Sequence, residues 1–145
     1  MPQIAFMDIL YAKNVVEILL NKEHSYLRIN WEGKVAKQDY IDALEFCIQY
    51  LQERDINKIL VDQRQILPLT PDEQAWLVRS WFPRFLDPIG GRAYLAIISS
   101  QMTFRDLSSK SIAKRLLDKY HDLTIQYFSA ETPAIKFIEN PELQD

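Results

Sequence analysis

Residues 59–78, ILVDQRQILPLTPDEQAWLV, decide the fold. The stretch opens on a short continuous apolar run, Ile59-Leu60-Val61, closed by Asp62, which reads as a central strand covered on both faces. Thr70-Pro71-Asp72-Glu73 then starts a helix. Thr70 can accept the backbone N–H three residues on, Glu73 can reach back to Thr70, and Pro71 falls at the first helical position, where no donor is needed. The spacing carries this helix through Trp76, Leu77, Trp81 and Phe85, and Pro83 is expected to bend or end it. Strand, polar turn and capped helix together form the repeating unit of an α/β sheet.

The same alternation of hydrophobic period extends in both directions. Upstream, Tyr40, Ile41, Leu44, Cys47, Ile48 and Leu51 recur at spacings of three and four and predict an amphipathic helix over Lys37 to Asp55. Before it, Tyr26 to Trp31 alternates, with Leu27, Ile29 and Trp31 on one face and Arg28 and Asn30 on the other, so this strand is expected to bury one side only. Residues 1–20 predict a hairpin made of Ile4 to Tyr11 and Val15 to Leu20, turning through Ala12-Lys13-Asn14 with Asn14 at positive φ. Downstream, Asp87 to Gly91 is a loop and Tyr94 to Ile98 a second buried strand. A helix follows from about Ser108 to Tyr120, then a half-exposed strand over Leu123 to Phe128. Thr132-Pro133 is expected to cap a last helix through Ile138, ahead of a polar tail, residues 140–145. The order β-β-β-α-β-α-β-α-β-α predicts an α/β fold in one domain, 1–145: a mixed, mainly parallel sheet with an antiparallel beginning, covered by about four helices.

A chain of 145 residues, 48% of them hydrophobic, is long enough for one continuous core. A net charge of -3 gives no long-range attraction to polyanions, so a nucleic-acid partner is not expected. The lone Cys47 cannot form an intramolecular disulfide, which fits a reducing cytoplasm. No stretch approaches a membrane span, and the start at Met1-Pro2-Gln3 lacks the pattern of a leader. His24 and His121 have no partners at metal-ligand spacing, and no serine or cysteine is placed as a nucleophile, so neither metal, cofactor nor catalytic turnover is expected.

The phrase Ile59-Leu60-Val61-Asp62, its spacer and the helix from Thr70 resemble the STAS domain, the fold of the anti-sigma-factor antagonists and of the cytoplasmic ends of sulphate transporters. The likeness spans residues 26 to 138 and is greatest to stand-alone bacterial relatives of unassigned role. It implies a regulatory module that acts by binding a protein partner. In that family the helix opens with an aspartate, two serines and a glycine, and a serine accepts the phosphate that switches partner binding. Here Thr70, Pro71, Asp72 and Glu73 stand at the corresponding positions, so the usual acceptor serine is missing. Asp72 and Glu73 either complement the positive end of the helix dipole or hold the site in a phosphorylated-like state.

Ligands of open α/β sheets gather beyond the carboxyl ends of the strands. Those ends are expected to carry Asp62 and Arg64 after one strand and Ser99 and Ser100 after the next, with Arg105 close by. They would form a polar pocket in which the arginines hold an anion and the serines supply hydroxyls, or else serve as ordinary loop and capping residues. The aromatics Trp76, Trp81, Phe82 and Phe85 cover too wide an arc for one narrow helical stripe. Either Pro83 bends them all into the core, or Trp81 and Phe82 form a surface for a partner or a second copy of the chain. The expected function is therefore a non-catalytic regulatory or protein-binding module. The alternative is a small-ligand or lipid-binding domain using the polar pocket.

Overall fold

The computed structural model describes residues 7–67, 69–100 and 107–143, the stretch 107–110 by its backbone alone. Six strands form one sheet in sequence order: β1 (Asp8–Lys13), β2 (Val16–Asn21), β3 (Tyr26–Gly33), β4 (Lys58–Ile66), β5 (Tyr94–Ile98) and β6 (Thr124–Phe128). The pairs β1–β2 and β2–β3 are antiparallel; β3–β4, β4–β5 and β5–β6 are parallel. This is the mixed α/β sheet that the alternation predicts. Asn14 has φ 52 in the β1–β2 turn, as expected of a residue that tolerates the left-handed region. The predicted beginning of the hairpin, residues 1–6, lies outside the described residues.

The parallel strands are joined by helical segments: α1 (Lys37–Arg54), then α2 (Pro71–Trp76), a π turn (Leu77–Trp81) and α3 (Phe82–Leu86), then α4 (Leu107–Lys119); α5 (Glu131–Glu139) follows β6. Thr70 and Glu73 form the predicted capping box. The Thr70 hydroxyl accepts from the Glu73 N–H at 3.2 Å, and the Glu73 carboxylate accepts from the Thr70 N–H at 2.8 Å, a device that contributes about 1 kcal/mol. Pro83 does not end the helix. The Phe82 N–H reaches back five residues to the Leu77 carbonyl, and this wider turn lets the chain pass a residue that has no donor and whose ring crowds the preceding turn.

Two apolar layers sandwich the sheet. One packs Ile18, Ile29, Ile59 and Leu95 against α1, the π turn, α3 and α4. The other packs Leu19, Leu60, Ala96 and Ile98 against Ala134, Ile135, Phe137 and Ile138 of α5. This second layer corrects the expectation for β3, because Arg28 is only 2% exposed and the strand is covered on both faces near its centre.

The end of β4 is corrected too. Asp62 does not close the strand but lies inside it, because β3 continues to supply backbone partners as far as Gly33, opposite Ile66. The last helix begins at Glu131, with Ala130 as an N-cap that makes no side-chain hydrogen bond. Pro133 fits in the first turn, where its missing N–H would be unpaired in any case.

Candidate functional site

Period-two alternation along β4 sends its side chains to two different places. The even positions Leu60, Asp62 and Arg64 face α5, while Ile59, Val61 and Gln63 face the helices of the other layer. The β3–β4 register shifts between Asn30 and Glu32, and beyond that irregularity Ile66 again faces the larger helical layer.

On the α5 side, four charged groups form one network. The Arg28 guanidinium donates to Asn30 at 2.8 Å, Asp62 at 3.2 Å and Glu131 at 3.0 Å. Arg64 grips Asp62 with two nitrogens, at 3.0 and 2.6 Å, and reaches Glu131 at 3.5 Å. Burial opposes the charge on Asp62, but the hydrogen bonds from Arg64 and the charges of Arg64 and Arg28 outweigh it, so its carboxyl lies below the ordinary range. Two arginines against two carboxylates leave no net charge, and Glu131 ties the first turn of α5 to the middle of the sheet. The network is built to hold the fold rather than to wait for an anion.

On the opposite side, between the sheet and α1, the π turn and α4, lies a cavity of about 120 Å³. Its walls include Trp31, Tyr40, Leu44, Trp81, Leu116 and Ile125, and no charged side chain lines it among the described residues. Leu67, 49% exposed, lines it too and marks where it reaches the surface. Its polar side chains are already occupied in part. The Trp81 Nε1–H donates to the Leu44 carbonyl at 2.7 Å, and the Gln63 amide donates to the Ser99 hydroxyl at 3.2 Å. Burial, followed by the charge of Glu73, pushes the Tyr40 phenol far up, and burial alone does the same to the Cys47 thiol.

The described residues of the predicted site are distributed over several places. Asp62 and Arg64 lie in the charged network. Ser99 is buried and bonded to Gln63, and Ser100 is half-buried beside it. Arg105 lies outside the described residues. Thr70 is engaged in its cap and Asp72 is exposed two residues on, in the first turn. Trp81 is 2% exposed and belongs to the core, whereas Phe82 is half-buried at the cavity. Among the described residues the cavity is lined mainly by apolar side chains. Sequence reasoning missed Arg28 and Glu131. The one signal, and for Arg28 alone, was a basic residue between Leu27 and Ile29 in a strand next to one that carries an aspartate.

Among the described residues no group of histidine, cysteine, aspartate and glutamate could hold a metal ion, and no helix is long and apolar enough to cross a membrane. No protein-family model matches the chain, and no curated protein matches it. The chain is similar to solved structures. One is an uncharacterized protein of the DUF3478 family with a SpoIIAA-like fold, from Shewanella loihica PV-4. It is 16% identical, the match covers 88% of this chain and 98% of that one, and the TM-score is 0.51. Another is SiaC of Pseudomonas aeruginosa, 13% identical over 84% of this chain and 100% of that one, with a TM-score of 0.49. The chain has a SpoIIAA-like α/β fold.

Proposed function

We propose that this chain is a non-catalytic binding module of the STAS type, with a regulatory role, that takes a small apolar molecule into the cavity beneath its sheet. The cavity itself carries this reading. Protein interiors pack as densely as organic crystals, so an apolar space of about 120 Å³ beneath the sheet is a departure from that packing which an apolar guest could fill. Apolar voids of this order stay dry and accept benzene-sized guests. The absence of turnover is supported by the neighbouring polar groups, which are committed to one another: Arg28 and Arg64 to Asp62 and Glu131, and Gln63 to Ser99.

The test is a thermal-shift titration with benzene and toluene, repeated on Ala113→Leu, whose added atoms enter the cavity. A ligand-dependent rise in Tm follows from mass action, and it should shrink or vanish in the variant while the variant's own Tm does not fall by more than a few degrees. No shift with any apolar probe would remove the reading.

One observation favours a second reading, a protein partner at the rim. Exposed Leu67 and half-buried Phe82 line the cavity, and apolar side chains that reach the surface suit the core of a protein interface. If the partner is a second copy, sedimentation of the wild type will show a dimer that Leu67→Asp converts to monomer. Monomers in both would count against self-association.

A further inference from the structure

We propose that the cavity selects for neutral guests, a single ring or a short aliphatic group bearing at most an uncharged polar head, and discriminates against carboxylates and phosphates. This rests on the ligand-binding reading above and adds the chemical class of the ligand.

Three independent features point the same way. The first is the composition of the wall. Among the described side chains lining the cavity, Trp31, Tyr40, Gln63, Trp81 and Tyr127 carry polar atoms and none carries a cation. An anion entering there would lose its water with no guanidinium or ammonium among those side chains to replace it, which is the costliest way to bury a charge.

The second is where the cations went. Arg28 and Arg64 come from the two strands that floor the cavity, β3 and β4, yet strand alternation turns both to the far face. There Asp62 and Glu131 neutralise them at 2.6 to 3.5 Å. The sheet itself separates the arginines from any guest.

The third is the sign of the local field. Glu73, almost fully buried in its capping box, acts on Tyr40 in the cavity wall as a negative charge, adding to burial in pushing the phenol up. A guest carboxylate near Tyr40 would meet the same two penalties, desolvation and repulsion by Glu73.

Size narrows the class further. A volume of about 120 Å³ is slightly smaller than the roughly 150 Å³ engineered void that holds benzene. One ring or about six aliphatic carbons fill it, and a longer chain would protrude past Leu67 and Leu69.

Matched pairs test the inference: benzyl alcohol against benzoate, and hexan-1-ol against hexanoate, titrated into the wild-type chain and followed by amide chemical shifts of the α1 and α4 residues. At about pH 8 all four guests are in one protonation state, with the acids fully ionised. The alcohols are expected to bind at least about 100-fold more tightly than the carboxylates, as desolvation of an unpaired charge requires. Lowering the pH to about 5, where part of each acid is neutral, should strengthen apparent binding of the acids and leave the alcohols unchanged. Carboxylates that bind as tightly as the alcohols would overturn the selectivity and leave the cavity reading intact. If no member of either pair binds, the cavity reading itself fails, and the selectivity with it.

Discussion

Replacing Arg28 with methionine is expected to destabilise the fold by about 3 kcal/mol, whereas the same change at Arg84 should cost less than about 1 kcal/mol. Both arginines pair with carboxylates, and the geometry at Arg84 is the closer of the two, with contacts of 2.9 and 2.5 Å to Glu45. What separates them is water. The Arg84 pair is more than a third exposed on both sides, so solvent competes with the interaction and replaces it when it is lost. The Arg28 side chain is 3% exposed, and its removal leaves Asp62 and Glu131 in a poorly hydrated site between β3, β4 and α5. Stranding buried charge in this way typically costs 3–5 kcal/mol. The lower end applies because Arg64 remains bonded to Asp62 through two nitrogens. Urea unfolding with an unchanged m-value measures the difference, and a loss under 1 kcal/mol for Arg28→Met would refute the structural role given to the network.

The same network sets the response to acid. Asp62 has a folded-state pKa below its unfolded value of about 3.9. Its contribution is therefore complete above that unfolded value and is lost as the pH falls through the lower, folded one. Arg28 is among the charges that lower it, so in Arg28→Met the two values draw together, and stability should depend less on pH below about 4. An acid limb as steep in the variant as in the wild type would place the titrating group elsewhere.

How much of this was legible in the sequence depended on how local each signal was. The capping box could be read because Thr70 and Glu73 are three residues apart and their hydrogen bonds close within that span. The α1 stripe could be read for the same reason, and so could the positive φ of Asn14. Arg28 could not. Alternation says which residues share a face, but not whether that face meets solvent or a partner 34 and 103 residues away, as Asp62 and Glu131 are. A charged residue between Leu27 and Ile29 has the same pattern in either case.

The reading of Asp62 as a strand end failed for a related reason. An aspartate inside a strand covered on both faces is unfavourable unless cations meet it, and those cations come from the neighbouring strand and from two residues on. The cavity was harder still to foresee. Ile112, Leu116 and Ile125 fit their apolar stripes whether the space before them is filled or empty, and hydrophobic patterning records the sign of burial but not the volume left over. Pro83 was expected to bend or end the helix because the compensating π turn has no sequence signature of its own.

Trp81→Ala is expected to cost about 4 kcal/mol, while Trp81→Phe should lose only about 1–2 kcal/mol. The indole is 2% exposed and packs edge-on against Phe82 and at a tilt against Phe85, with ring centroids 5.0 and 5.6 Å away. It also stands at the end of the π turn, so it joins that turn to α1 through the hydrogen bond to Leu44. Alanine would remove the whole ring beside a cavity that is already unfilled, and the enlarged void could close only by moving α1 toward the sheet. Phenylalanine keeps most of the volume and deletes the donor. The deletion is tolerable because the Leu44 carbonyl lies inside α1, where it also accepts the ordinary helical hydrogen bond from four residues on. The pair of variants therefore separates packing from hydrogen bonding at one position. If the two lose equal stability, the indole N–H outweighs the ring, and the π turn is held to α1 chiefly by that bond. If alanine costs less than about 1 kcal/mol, the ring is not packed between α1 and α3 as described.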